Sequence, residues 1–145
     1  MKSSATVLGL MLAGTVFRDL GSTNVAVRIV KVWPPGRIRN EVVIHCAVAL
    51  DNQTGMPLTA TNVYSQGLSL IVADADGKEL GRAHAAPFKI ERFDLRRGSE
   101  TNETYYICPV PASTHVIRLH LEGEFPGSSF TAHLRSAVVE AKLPP

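Results

Sequence analysis

The side chains able to do chemistry in this 145-residue chain are few: five histidines, His45, His84, His115, His120 and His133, and two cysteines, Cys46 and Cys108. Imidazole is the common general base and metal ligand near neutral pH, so the histidines are weighed first. Only His120 and His133 make a pair. If the strands that carry them are antiparallel neighbours, both rings lie on one outer face beside Arg118 and Arg135, as a two-histidine metal site or a small basic patch. The arginines would repel a cation, so the pair reads better as a polar strand face that a partner could contact. Cys46 and Cys108 lack the C-x-x-C spacing of a structural zinc site and are either a long-range disulfide or two buried free thiols. Asp74-Ala75-Asp76-Gly77 starts like a calcium loop, but the later oxygen ligands are missing. Neither a G-x-S-x-G elbow nor a glycine-rich phosphate cradle occurs. No catalytic residue, metal ligand or cofactor site is therefore expected, and the chain reads as a non-catalytic protein.

The elements that must position these residues are short and β-rich, with turn chemistry between them, which is the spacing of a sandwich or barrel. A first strand runs from Asn24 to Val32 and is expected to leave its sheet at Trp33-Pro34-Pro35-Gly36, because proline offers no ladder donor. Glu41 to Asp51 is the clearest central strand: Val42, Ile44, Cys46, Val48 and Leu50 on one face, with Val43, His45, Ala47 and Ala49 opposite. Leu58 to Gln66 reads as a long connection, and Asp76-Gly77 as the tip of a hairpin between Leu68–Ala73 and Lys78–Ala83. Pro87 to Leu95 alternates as a half-buried strand, broken at Arg96-Arg97-Gly98-Ser99, and Thr101 to Cys108 forms the next. The following strand is expected to bury His115, Ile117, Leu119 and Leu121. Gly123 to Ser129 should turn the chain, and a last strand should bury Phe130, Ala132, Leu134, Ser136 and Val138. The reading is an all-β, single antiparallel sandwich of about seven to eight strands over residues 22–143, with a proline tail at 144–145.

Composition fits one such domain. Hydrophobic residues at 45% and charged residues at 19% are those of a folded globular chain. A net charge of +2 is too small and dispersed for a nucleic-acid binder. Residues 1–21 form an apolar N-terminal segment whose core, residues 5–17, is too short to span a bilayer as an ordinary helix. It reads as a retained strand or short helix, a secretory signal or an uncleaved anchor, and any membrane contact would run through it. Asn52-Gln53-Thr54 and Asn102-Glu103-Thr104 are glycosylation sequons. Trp33 at the strand end is either a cap on the sandwich or a contact for a partner.

The order of these signals resembles immunoglobulin-like and fibronectin-type-III-like sandwiches, particularly small bacterial accessory domains. It is carried by Asp51-Asn52-Gln53-Thr54-Gly55 after a hydrophobic strand, the Asp76-Gly77-Lys78 hairpin, and Leu95-Arg96-Arg97-Gly98-Ser99-Glu100-Thr101 leading to a strand that ends in Pro109-Val110-Pro111. The likeness spans Asn24 to Leu143 and implies a fold without a function. Tyr106, two residues before Cys108, resembles a tyrosine corner, but the only tryptophan precedes Cys46 instead of following it. These readings lead us to expect a structural or protein-interaction module, a subunit of a larger assembly or a homo-oligomer. It would be placed at the cell envelope, secreted or within a macromolecular particle, with Trp33, His120 and His133 as partner contacts. The alternative is an exported small-ligand or carbohydrate-binding domain, which would need an aromatic platform.

Overall fold

Every second residue of Glu41–Asn52 (β3) turns into the core, which makes this strand the centre of the molecule: Val42, Ile44, Cys46, Val48 and Leu50 all point inward and none is exposed to solvent. The computed structural model describes residues 25–55, 58–61, 63, 67–85, 92–95, 98–126 and 131–145. The apolar segment of residues 1–21, including its proposed membrane-contacting core, lies outside them, as do Phe88 and Phe130. Around β3 the described strands are β1 (Val25–Val32), β2 (Gly36–Ile38), β4 (Leu58–Thr61), β5 (Leu68–Ala73), β6 (Glu79–His84), β7 (Arg92–Leu95), β8 (Gly98–Pro109), β9 (Val116–Pro126), β10 (Thr131–Arg135) and β11 (Val139–Lys142). Every pairing is antiparallel.

Two sheets face each other. In the first, β3 pairs with β8 along one side and with β1 and then β2 along the other. In the second, the order is β10-β9-β5-β6, with β11 continuing along β9 beyond β10. β4 and β7 make a separate two-stranded ribbon, so the expected connection after Leu58 contains a strand. Counting β1 with β2 and β10 with β11 as interrupted single strands, the two main sheets hold seven, and the sandwich reading stands. The inner faces share one core, to which β3 contributes Ile44 and Leu50, β8 contributes Tyr106, and the second sheet contributes Leu70, Leu119, Leu121 and Phe125.

Several local expectations need correction. The chain does not leave the sheet at Trp33-Pro34-Pro35: the Trp33 amide donates to the His45 carbonyl at 3.0 Å, and β2 resumes pairing with β3 at Gly36–Val43. Here the prolines occupy an irregularity on an edge strand, where no ladder donor is required. The hairpin closes at Arg39, which adopts a left-handed φ of 57°. In the Asp74–Lys78 turn only Gly77 is left-handed (φ 88°), while the Asp74 carboxylate accepts from the amides of Asp76 and Lys78, so this aspartate is a turn brace. Gly98 begins β8 instead of breaking a strand. His115 is exposed just before β9, and Val138 is exposed where β10 passes into β11.

That passage is a bulge. Arg135 lies opposite Glu122 but Val139 lies opposite Leu119, so the last edge gains one residue relative to β9. Ser136 repairs the ladder: its amide donates to the Leu121 carbonyl at 2.9 Å and its buried Oγ accepts from the Leu121 amide at 2.8 Å. Gly123, expected in a turn, sits inside β9. A Cβ on it would lie 2.9 Å from the Gly67 carbonyl carbon and Leu68 Cα, and closer still to the Gly67 oxygen. Gly67 is constrained less severely, its Cβ position being 2.9 Å from the Glu124 carbonyl oxygen. Two backbones meet here, so neither site has room for a side chain.

The cysteines are free. Both face the core from neighbouring strands of the same sheet, but Cys108 lies opposite Val42 and Cys46 opposite Thr104. Four residues of strand separate the two levels, roughly 13 Å at the usual rise, beyond the ~7 Å Cα limit of a disulfide. An immunoglobulin bridge spans the two sheets, and this pair does not. Burial raises both thiol pKa values, which makes them poor nucleophiles.

Two stability predictions follow from these contacts. Gly123→Ala should cost at least about 2 kcal/mol through overpacking against backbone, a fall of roughly 5 °C or more in melting temperature by calorimetry. Ser136→Ala strands the buried Leu121 amide and should cost about 1–3 kcal/mol in urea denaturation, with an unchanged m-value.

Candidate functional site

Because β3 turns Ile44 and Cys46 inward, His45 must face outward, and its neighbours are dictated by register. Tyr105 lies opposite it on β8, and the Trp33 amide is bonded to its carbonyl on the other side. The three rings form a row across the sheet. Trp33 and His45 stack with centroids 3.9 Å apart and planes inclined by 7°, and His45 and Tyr105 stack at 4.2 Å and 10°. Lys31 closes the Trp33 end, with Nζ 4.6 Å from the ring centroid. The one-residue irregularity between Ile29 and Lys31 sets this up, since it leaves both Val30 and Lys31 exposed. His45 Nε2 is bonded to Glu103 Oε1 at 2.9 Å, which holds the imidazole between the other rings.

Around the row the surface is apolar. Val43 lies opposite Ile107 in the next outward pair towards β2, and Ile38 stands beyond them near the hairpin tip. Ile38 is 65% exposed, Ile107 53% and Tyr105 44%. At the other end the face becomes polar: Arg28 makes a two-point contact with the Asp51 carboxylate at 2.8 and 3.1 Å, and Ser99 Oγ donates to the same group. The Arg28 hydrogen bond holds the Asp51 carboxyl below its ordinary range, against a partial opposing effect of burial.

The opposite sheet carries a different surface. His120 and His133 do share its outer face, as the pattern required, but each has its own carboxylate: His120 Nε2 meets Glu122 at 2.6 Å and His133 Nδ1 meets Glu124 at 3.3 Å. Arg135 reaches Glu122 at 3.1 Å, and Arg82 is paired with Glu79. The His120 hydrogen bond, more than the arginines, holds Glu122 below the ordinary carboxylate range. Arg82, Arg135 and both imidazoles are thus matched to carboxylates, Arg118 stands exposed opposite Glu140, and among the described residues no three His, Cys, Asp or Glu side chains are grouped to hold a metal ion. Trp33 is thus brought together with His45 and Tyr105, while His120 and His133 stand on the other side of the sandwich. Sequence reasoning missed His45 and Tyr105 as a unit. The signal lay in β3 alternation, but the β3–β8 register needed to complete it is not written in either strand alone.

Asn52, the first sequon asparagine, is buried, and its side-chain oxygen accepts from the Thr54 amide and hydroxyl at 3.0 and 2.7 Å. It serves as a turn brace and is not presented to solvent.

No protein-family model matches the chain, and no curated protein matches it in sequence. Among solved structures it is similar to a protein described as ApaA from Bordetella pertussis, with a TM-score of 0.51 and 17% identity over 83% of this chain and 94% of that one. A structural-genomics X-ray structure aligns with a TM-score of 0.48 and 12% identity over 85% of this chain and 89% of the other. The solution structure of a protein assigned to the late embryogenesis abundant group aligns with a TM-score of 0.44 and 17% identity over 83% and 71%. The first likeness supports the all-β sandwich and carries no activity with it.

The Asp51 pair makes a pH prediction. A carboxyl held below its ordinary value of 3.8 contributes stability that is fully present above that value and is lost as pH falls through the lowered folded pKa. Asp51→Asn should therefore lower stability at pH 7 and leave a shallower acid limb below about pH 4. Urea midpoints measured from pH 2 to 7 on both proteins check this; parallel acid limbs would show that the pair does not couple to folding.

Proposed function

We propose that this protein is a non-catalytic interaction module, an immunoglobulin-like or fibronectin-type-III-like sandwich that docks a protein partner on the outer face of the β1/β2–β3–β8 sheet. The observation that carries the reading is the contrast between the two outer faces. On the β5–β9–β10 side, His120, His133, Arg82 and Arg135 are each matched to a carboxylate within the molecule. On the β3–β8 side, Ile38, Ile107 and Tyr105 lie in one neighbourhood around an internally stacked, and therefore rigid, aromatic row. Aromatic anchors held in place before binding lose little rotamer entropy on association, and such residues dominate interface energetics. The order of three strands facing four supports the fold-level resemblance.

An exported carbohydrate-binding domain would need open ring faces on which a sugar could lie. Here Trp33 is covered by Lys31 and His45, and His45 by Trp33 and Tyr105, so among the described residues only Tyr105 of the three keeps an open face; one ring is not a platform for a sugar, which favours the protein-docking reading. A role as a subunit of a larger assembly belongs to the same proposal.

Hydroxyl-radical footprinting tests it. Oxidation of Tyr105, Ile107 and Ile38 should fall at least threefold in an extract of the native source relative to the purified protein, with His133 unchanged, and Tyr105→Glu should restore Ile107 oxidation. Protection confined to the His120 and His133 face, or equal labelling in both preparations, would refute the assignment.

A further inference from the structure

The stack is closed at one end and open at the other. Lys31 covers the outer face of Trp33, and His45 fills the space between Trp33 and Tyr105. Among the described residues no ring or cation lies on the second face of Tyr105, which is 44% exposed on β8. Two residues earlier on the same face of that strand stands Glu103, with its side chain 63% exposed. Its Oε1 is engaged by His45 at 2.9 Å, and no contact within the described part of the molecule uses Oε2. Ile107, 53% exposed, borders Tyr105 on the side away from Glu103.

Resting on the docking reading above, we propose that the second face of Tyr105, with the Glu103 carboxylate, receives an arginine side chain of the partner protein. The electrostatics favour a cation. The π-face of Tyr105 is electron-rich, and the Glu103 carboxylate, two residues along the same strand face, adds a negative charge that one imidazole hydrogen bond does not saturate. A guanidinium suits this pair better than an ammonium. Its plane lies flat on a phenol ring while its edge N–H groups remain free to donate in that plane, whereas an ammonium is a strongly hydrated point charge. The arrangement repeats at one end of the row what Lys31 does at the other, so the bound stack would be capped by cations at both ends. Ile107 adds an apolar border, so the arginine should sit in a segment with an apolar residue next to it.

The probes are N-acetyl-arginine amide, its neutral isostere N-acetyl-citrulline amide, and the tripeptide N-acetyl-Val-Arg-Val amide, titrated against the full chain. Trp33 is the only tryptophan, so its fluorescence reports on the stack, and amide chemical shifts at His45, Glu103 and Tyr105 give an independent reading. Arginine amide should bind with half-saturation on the order of 1–10 mM, as two exposed contacts allow, and the tripeptide at least threefold tighter. Tyr105→Leu should weaken binding tenfold or more, Glu103→Gln several-fold, and Tyr105→Phe, which keeps the ring, should bind as the parent does. Equal binding of citrulline amide, or undiminished arginine binding in Tyr105→Leu, would overturn the proposal. Arginine amide binding as tightly as the tripeptide would overturn a protein segment as the source of the guanidinium. Footprinting protection at Ile107 and Ile38 without arginine binding would leave the docking face standing and remove only its occupant.

Discussion

The molecule depends on one geometric constraint, the two-residue period of β3 enforced by a dry inner face. Val42, Ile44, Cys46, Val48 and Leu50 are all withdrawn from solvent. Shifting the strand by one residue would expose all five and turn Val43, His45, Ala47 and Ala49 inward in their place, exchanging several side-chain burials of ~1.5–3 kcal/mol each for smaller side chains and a buried imidazole. The register of β3 is therefore fixed to the residue, and its twelve positions template both neighbours: β8 pairs with every one, and β1 and β2 pair with most. The outward row of Trp33, His45 and Tyr105 is a by-product of that inward demand. The stacking energy, ~0.5–1.5 kcal/mol per aromatic pair, is too small to set the register and is instead made available by it.

This hierarchy explains which parts of the structure were legible in the sequence. β3 and the hairpin around Asp76-Gly77 could be read because each is determined locally, by alternation over many residues or by a turn of limited conformations. The departures occur where a residue's usual reason for being chosen was not the one in force. Trp33-Pro34-Pro35 reads as an exit because proline lacks a donor, yet on an edge the missing donor costs nothing and β2 resumes pairing. Gly123 reads as a turn because glycine permits positive φ. It is present because the backbones of β5 and β9 approach too closely for a Cβ, which is a tertiary fact. Continuing the alternation of Leu134 and Ser136 would put Val138 inside, and the bulge after Ser136 ends that alternation. The cysteine pair was undecidable without register, because facing the same core is necessary but not sufficient for a bridge.

Candidate residues divide along the same line. Trp33, His120 and His133 stood out as residue types, and all three do lie on outer faces of sheets. Their significance differs because their surroundings differ. Around His120, the neighbours Glu122, Arg135 and Arg82 form a ladder of opposite charges across the second sheet, the ordinary way for a solvent-facing sheet to satisfy itself. Such pairs are screened and individually weak. A partner docking there would have to desolvate charges already compensated, with little apolar burial in return.

On the first sheet that balance is reversed. Ile38, Ile107 and Tyr105 remain exposed in the folded protein, so their apolar surface contributes little to stability and stays available for burial on association. The rings beneath them are held by a backbone hydrogen bond at Trp33, a carboxylate at His45 and mutual stacking, so ordering them was completed during folding. β-propensity alone would account for isoleucine and tyrosine on strands, and scattered singly they would call for no further reason. Convergence on one end of one face, beside the only tryptophan of the chain, is what propensity does not provide. Under the docking proposal, the polar end of that face, where Arg28, Asp51 and Ser99 bind one another, would be its boundary, because a partner reaching it would meet charges that are already paired.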